Sequence, residues 1–197
     1  MIAIIDYDAG NTCSVMNAMK RLDATYVLTD NAEVIRGADK VIFPGVGHAT
    51  QAMNSLRDKN LVEVIKAVTQ PLLGICVGMQ LLNRFSVEGD TPCLGIFDSM
   101  VEKFVPLPAE SFQKVPHMGW NQITKLNSNL FTNIDEDAFV YFVHSYYVAK
   151  NDYTIATSDY NHPFSAAIQK ENFYGLQYHV EKSGAIGEKI LSNFLSL

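Results

Sequence analysis

The chain has 197 residues, enough for one compact domain with a real hydrophobic core. Hydrophobic residues make up 48% and charged residues 18%, which excludes a disordered polyelectrolyte. The net charge of −6, with no cluster of Lys or Arg, argues against nucleic-acid binding, which needs cations against phosphates.

In chain order, Ile2 to Ile5 reads as a buried strand. Thr12 to Leu22 follows as a helix, with Val15, Met16, Met19 and Leu22 at helical spacing. Tyr26 to Leu28 is a second strand, and Asn31 caps a helical turn before Ile35. Val41 to Phe43 is a third strand, ended by Pro44-Gly45, and Thr50 is placed to cap the next helix. Leu61 to Val68 is a further helix, Leu72 to Ile75 a fourth strand, and a helix from Val77 to Arg84 follows it directly. Apolar strands alternating with helices predict a doubly wound α/β fold with a mostly parallel central sheet. The second half is strand-rich: Phe139 to Val148, Tyr153 to Thr157, Phe164 to Gln169 and Phe173 to Tyr178, with turn residues between. These are expected as antiparallel additions to the sheet. A last helix runs from Gly184 to Leu195, and no linker divides the chain, so residues 1–197 are read as one domain.

No segment offers the roughly 18–20 unbroken apolar residues that cross a bilayer, and Met1 to Asp6 lacks the basic leader of a signal peptide. A soluble, cytoplasmic protein without a membrane partner is expected. The three cysteines, Cys13, Cys76 and Cys93, suit neither a disulfide framework nor a zinc site, so no metal is expected.

Cys76 stands apart. The apolar strand runs into Gly74-Ile75-Cys76-Val77-Gly78 and then into an apolar helix. In the analogous Gly-x-Ser-x-Gly elbow, the nucleophile sits on a tight strand-to-helix turn, at the sheet end where open α/β folds bind ligands. A helix N-terminus favours the thiolate, and the free N–H of Val77 is placed to donate to an oxyanion. A free cysteine is as often a small packed hydrophobe, the reading kept for Cys13 and Cys93.

A catalytic cysteine needs a base, and the base an orienting group. Of His48, His117, His144, His162 and His179, the last lies just past an apolar strand, with Glu181 two residues on. On an extended chain, positions i and i+2 point the same way. His-x-Glu alone also fits a solvated pair with no role. His48 and His162 read as loop residues, His117 and Trp120 as packing or interface residues.

Three collinear segments carry more: Gly74-Ile-Cys-Val-Gly-Met-Gln80, Pro44-Gly45-Val46-Gly47, and Gly175-Leu-Gln-Tyr-His-Val-Glu-Lys-Ser-Gly184. Together they resemble the class I (triad-type) glutamine amidotransferases, whose fold is flavodoxin-like. Asp6-Tyr7 with Gly10-Asn11, Pro116-His-Met-Gly-Trp-Asn121 and Tyr141-Phe-Val-His-Ser-Tyr146 look most like the glutaminase subunits of imidazole glycerol phosphate synthase, a histidine-biosynthesis enzyme. The resemblance implies that Cys76 attacks the amide of L-glutamine, that His179 moves the protons and that Glu181 holds His179. It implies oxyanion donors at Val46 or Gly47 and at Val77, and glutamine contacts at Gly45, Gln80, His144, Ser145 and Tyr146. It implies no cofactor, and a (β/α)8-barrel cyclase subunit that receives the ammonia. Two positions depart from the family: Val180 stands where proline is usual between His and Glu, and Asp8 where glycine is frequent.

Gly45 and Gly47 reach backbone states closed to other residues, so the Val46–Gly47 peptide is expected to turn its N–H inward only when the partner is loaded. Two other readings stay open on the residues: an amidotransferase subunit for another synthase, such as one for sugar amination, and a non-catalytic flavodoxin-like binding protein. A cysteine peptidase fits less well.

Overall fold

The structure, a computed structural model, describes residues 1–105 and 114–197. Four parallel strands carry the first half: β1 (Ile2–Ile5), β2 (Tyr26–Thr29), β3 (Lys40–Gly45) and β4 (Leu72–Cys76). Between them run α1 (Thr12–Arg21), α2 (Ala32–Arg36), α3 (Ala49–Asp58) and α4 (Val62–Lys66). Asn31 caps α2 as expected, its side chain accepting from the backbone N–H of Glu33 and Val34. The cap of α3 is His48 and not Thr50: the imidazole Nδ1 accepts from the Thr50 N–H.

After β4 come α5 (Val77–Leu81), β5 (Asn83–Ser86), β6 (Thr91–Pro92), β7 (Phe97–Lys103), β8 (His117–Ile123), β9 (Ala138–His144), β10 (Tyr146–Val148), β11 (Thr154–Tyr160), β12 (His162–Lys170), β13 (Phe173–Leu176) and α6 (Gly184–Leu195). The central sheet has the order β11-β12-β13-β4-β3-β1-β2. Its middle strands are buried on both faces, with Ile4, Ile5, Val41, Ile42, Phe43, Leu72 and Leu73 fully covered. That burial explains their unbroken apolar runs. Ile190, Leu191 and Phe194 of α6 seal one face.

The doubly wound reading holds, with three corrections. The helix expected over Val77 to Arg84 stops at Leu81, because the Asn83 side chain donates to the Met79 and Gln80 carbonyls and the chain then extends as β5. The helix expected over Leu61 to Val68 shortens to Val62–Lys66. The late strands do not all extend the central sheet antiparallel. Only β11 and β12 do; β13 is antiparallel to β12 but parallel to β4, its register running Phe173↔Leu72 to Leu176↔Ile75. The run Phe139 to Val148 breaks at Ser145, and its halves join different small sheets: β9 pairs with β8, and β10 with β7. Alternation cannot foresee this, because both halves keep an apolar face and the break comes from a long-range bond, Phe104 N–H to the Ser145 carbonyl.

Candidate active site

The elbow is built by strain and close approach. Cys76 has φ 53° and ψ −111°, a conformation that a non-glycine residue adopts only when its surroundings hold it there. What holds it is the crossing of β3 over α5. A Cβ on Gly78 would lie 2.0 Å from the Phe43 carbonyl oxygen, and one on Gly45 2.4 Å from the Gly78 nitrogen. Gly45 is therefore required for proximity rather than for an unusual torsion. Gly78→Ala is expected to destabilise the chain by about 3 kcal/mol or more through overpacking, read as a lower urea midpoint; an unchanged midpoint would mean the two segments are not in contact.

The sulfur of Cys76 faces polar partners, the Val143 carbonyl at 3.8 Å and the Gln177 amide at 3.9 Å, and is near enough to the imidazole of His179 to raise its basicity. It lines an open cavity of about 430 Å³ and is not sealed in hydrocarbon. Val77, the first residue of α5, has no acceptor for its N–H within the helix.

His179 Nδ1 meets Glu181 Oε1 at 2.9 Å, and both side chains are buried. The i, i+2 argument reached the right pair by the wrong geometry. Glu181 lies in a 3-10 turn, Val180–Lys182, closed by the Lys182 N–H on the His179 carbonyl. Valine at 180 fits this turn with its side chain in the core, so the usual proline is not needed to bring the pair together. Burial by itself would lower the basicity of His179. Hydrogen bonds and charge from Cys76 and then Glu181 outweigh it and raise the imidazole to about 10.

Val46, Gly47, Val77, Gln80, His144, Ser145 and Tyr146 all line the same cavity as Cys76 and His179. Gly45 does not; it lines a small separate void together with His179 and Glu181. Gly47 has φ +90°, where glycine is at ease. The Val46 N–H is committed elsewhere, donating to the Ala9 carbonyl at 2.9 Å, so Val46 lines the cavity with its donor turned away. The Ala9 loop starts at Asp8, whose φ of 64° explains the family's preference for glycine there. Here Lys59 bonds the Asp8 carboxylate at 3.0 Å and the Asp6 carbonyl at 3.2 Å.

Two charged residues were not foreseen. Glu88 and Lys182 also line the cavity. One Glu88 oxygen accepts from the Ala49 N–H at 2.8 Å, which fixes the carboxylate at the rim. Glu88 sits in an ordinary polar turn after β5, and no spacing rule would have marked it.

Outside the site, Cys93 is half-buried and burial pushes its thiol up to about 12, whereas Cys13 is exposed and not the packing residue expected. His162 begins β12 and packs edge-on against Phe104 and Tyr147 instead of lying in a loop. His117 is buried, bonded to His144.

The family model described as glutamine amidotransferase class-I matches residues 3–197. This chain is a class-I glutamine amidotransferase. It is 54% identical to the imidazole glycerol phosphate synthase subunit HisH of Bacteroides fragilis (strain YCH46), over 100% of this chain and 99% of the relative. It is 46% identical to subunit HisH 2 of Legionella pneumophila (strain Paris), over 100% and 98%. Among solved structures, one described as glutamine amidotransferase aligns with a TM-score of 0.75 at 15% identity, over 100% of this chain and 98% of that one. A putative GMP synthase subunit from Thermoplasma acidophilum aligns with 0.73 at 20%, over 99% and 92%. These structural likenesses show the fold. No helix among the described residues is long and apolar enough to cross a membrane.

Proposed function

We propose that this amidotransferase is the glutaminase subunit of an imidazole glycerol phosphate synthase, acting as one domain over residues 1–197 in the cytoplasm. The observation that carries the reading is the Cys76–His179–Glu181 arrangement on the elbow, in a chain 54% identical to HisH over its full length. Cys76, as the thiolate, attacks the carboxamide carbon of L-glutamine. The oxygen that gains charge takes the Val77 N–H. The imidazolium of His179 protonates the departing ammonia, leaving a thioester. Neutral His179 then takes a proton from water, which attacks the thioester and releases glutamate. Glu181 holds the ring in place for both transfers.

Glutamine is a zwitterion, and beside the Cys76–His179 pair the cavity is lined by one further group of each sign. Glu88 suits the α-ammonium and Lys182 the α-carboxylate, with Gln80, Ser145 and Tyr146 on the walls between. Glu88→Gln is expected to raise KM for glutamine roughly 10–100-fold, the worth of a charge-assisted hydrogen bond, with kcat changed much less. An unchanged KM in steady-state assays would remove Glu88 from the binding site.

The ammonia passes to a (β/α)8-barrel cyclase subunit, which forms imidazole glycerol phosphate and aminoimidazole carboxamide ribotide. The docking face is the outer side of β8 and β9. Met118, Trp120 and Phe139 are 63%, 55% and 53% exposed there, and the Trp120 ring meets Tyr141 edge-on. Exposed aromatic and Met side chains of this kind are enriched in protein interfaces. The cavity is reached by Val143 of β9 and by Pro116, the residue just before β8.

The Val46 N–H on Ala9 keeps one oxyanion donor out of use at rest. Turning it inward, a rotation of the Gly45–Val46 peptide instead of the Val46–Gly47 peptide expected from sequence, is worth roughly 10²–10³ in rate. Ammonia release from glutamine should therefore be slow for the chain alone and with empty cyclase, and faster by that factor with substrate-loaded cyclase. Equal rates in all three would end the switch; no release in any would end the functional reading.

A further inference from the structure

His117 lies in a hydrogen-bonded chain whose direction can be read from its two ends. At one end His144 Nδ1 is 2.8 Å from the Tyr146 carbonyl oxygen. A carbonyl only accepts, so this nitrogen carries the proton. In the neutral ring Nε2 is then a lone pair, and it lies 2.9 Å from His117 Nδ1, which must donate to it. His117 Nε2 is in turn a lone pair, 3.3 Å from the Asn121 amide nitrogen. That amide is oriented by its other bonds: Nδ2 donates to the Asp159 carbonyl at 2.9 Å, and Oδ1 accepts from the Gln122 N–H at 2.8 Å. The chain therefore runs one way, Asn121 to His117 to His144 to Tyr146. Protonating either ring would set two donors face to face. Burial holds both rings neutral, lowering His117 to about 4 and, with the charge of His117 adding, His144 to about 3.

The far end is the glutamine pocket. The Tyr146 carbonyl also accepts from Gln80 Nε2 at 3.0 Å, and Gln80 Nε2 donates to Gln177 Oε1 at 3.0 Å. Both amide hydrogens of Gln80 are thus used, and its oxygen is the polar atom left for a ligand. Gln80 and Tyr146 both line the cavity. The near end is β8, where the alternation of side chains puts His117 and Asn121 on one face and exposed Met118 and Trp120 on the other.

We propose that His117 is a positioning residue for glutamine binding: through His144 it fixes the Tyr146 carbonyl and hence the orientation of Gln80, and it ties the glutamine pocket to the strand that carries Met118 and Trp120. The kinetic part of this rests on the glutaminase reading above; the direction of the relay does not. The ring of His117 also stacks on Tyr160 at 3.9 Å and on Phe142 at 4.7 Å, so a packing role must be separated from the hydrogen-bonding one.

Two measurements do this. In the ¹⁵N-labelled chain at pH 7, two-bond ¹⁵N–¹H correlations should show His117 and His144 both neutral with the proton on Nδ1. A proton on Nε2 of His144 would overturn the relay. In the complex with loaded cyclase, His117→Phe keeps the stacking and removes the donor. It should raise KM for glutamine about ten-fold, the worth of one hydrogen bond, while kcat changes less than about three-fold. His117→Asn, which keeps a donor near the Nδ1 position, should return KM to within about three-fold of the parent. Unchanged KM in folded His117→Phe, or equal losses in both variants, would reduce His117 to packing. Should His117→Phe fail to fold, the tautomer spectrum of the unsubstituted chain decides the matter. Failure of the unsubstituted complex to release ammonia would instead count against the glutaminase reading and leave the spectrum as the test of the relay.

Discussion

Cys76→Ala should lower glutamine hydrolysis by at least about 10⁴-fold, because removing the nucleophile of a triad costs nearly all of its chemistry. The cyclase reaction driven by added ammonium salt should stay within about two-fold of the parent complex. The substitution is small and leaves packing nearly intact. Among the described residues, the sulfur meets the Val143 carbonyl at 3.8 Å and the Gln177 amide at 3.9 Å, and it acts on His179. Loss of the ammonium-driven reaction would mean that Cys76 also shapes the subunit interface. Retained glutamine hydrolysis would remove Cys76 from the chemistry altogether. The same variant should show His179 titrating lower, since the hydrogen bond and charge from Cys76 are the first of the contributions that lift it against burial.

Glu181→Gln should lower kcat by roughly 10²–10⁴-fold with KM little changed, since the lost carboxylate orients the base and stabilises its charged form. Glu181 is among the contributions that raise His179 from 6.5 to about 10. The alkaline limb of the parent kcat/KM profile, which reports the free site with its imidazolium, should therefore fall near pH 10. In Glu181→Gln it should move to lower pH. The stability consequence follows from linkage: a base whose folded value is raised stabilises the native state fully below its unfolded value near 6.5, and that contribution disappears as pH climbs through about 10. Urea midpoints of parent and variant should accordingly differ most below about pH 6.5, narrow through neutral pH and converge above pH 10. A variant with an unshifted alkaline limb would show that Glu181 does not govern the ionisation of His179.

Much of the fold could be read directly from residue order. Ile2 to Ile5, Val41 to Phe43 and Leu72 to Ile75 are apolar throughout because they are covered on both faces, and that burial is what a parallel sheet between helices requires. The second half was less readable. The residues from Phe139 to Val148 pair with two different strands on either side of Ser145, and no local property of Ser145 announces the change. The direction of β13, parallel to β4, depends on a crossover that the alternation of its side chains does not encode.

The active site divides in the same way. The elbow was visible because its rule is local: a nucleophile on a tight strand-to-helix turn, with glycines two residues to either side, 74 and 78. The partnership of His179 and Glu181 was also local, although the turn that joins them is 3-10 and not extended. Glu88, the Ala9 carbonyl that holds the Val46 N–H, and the relay from Asn121 to Tyr146 join residues from separate strands and loops. Sequence by itself marked which atoms are candidates to react, since that depends on residue type and on a few consecutive torsions. Only the tertiary structure decided which donors and charges face those atoms, because hydrogen bonds and electrostatic fields depend on distance in space rather than on separation along the chain.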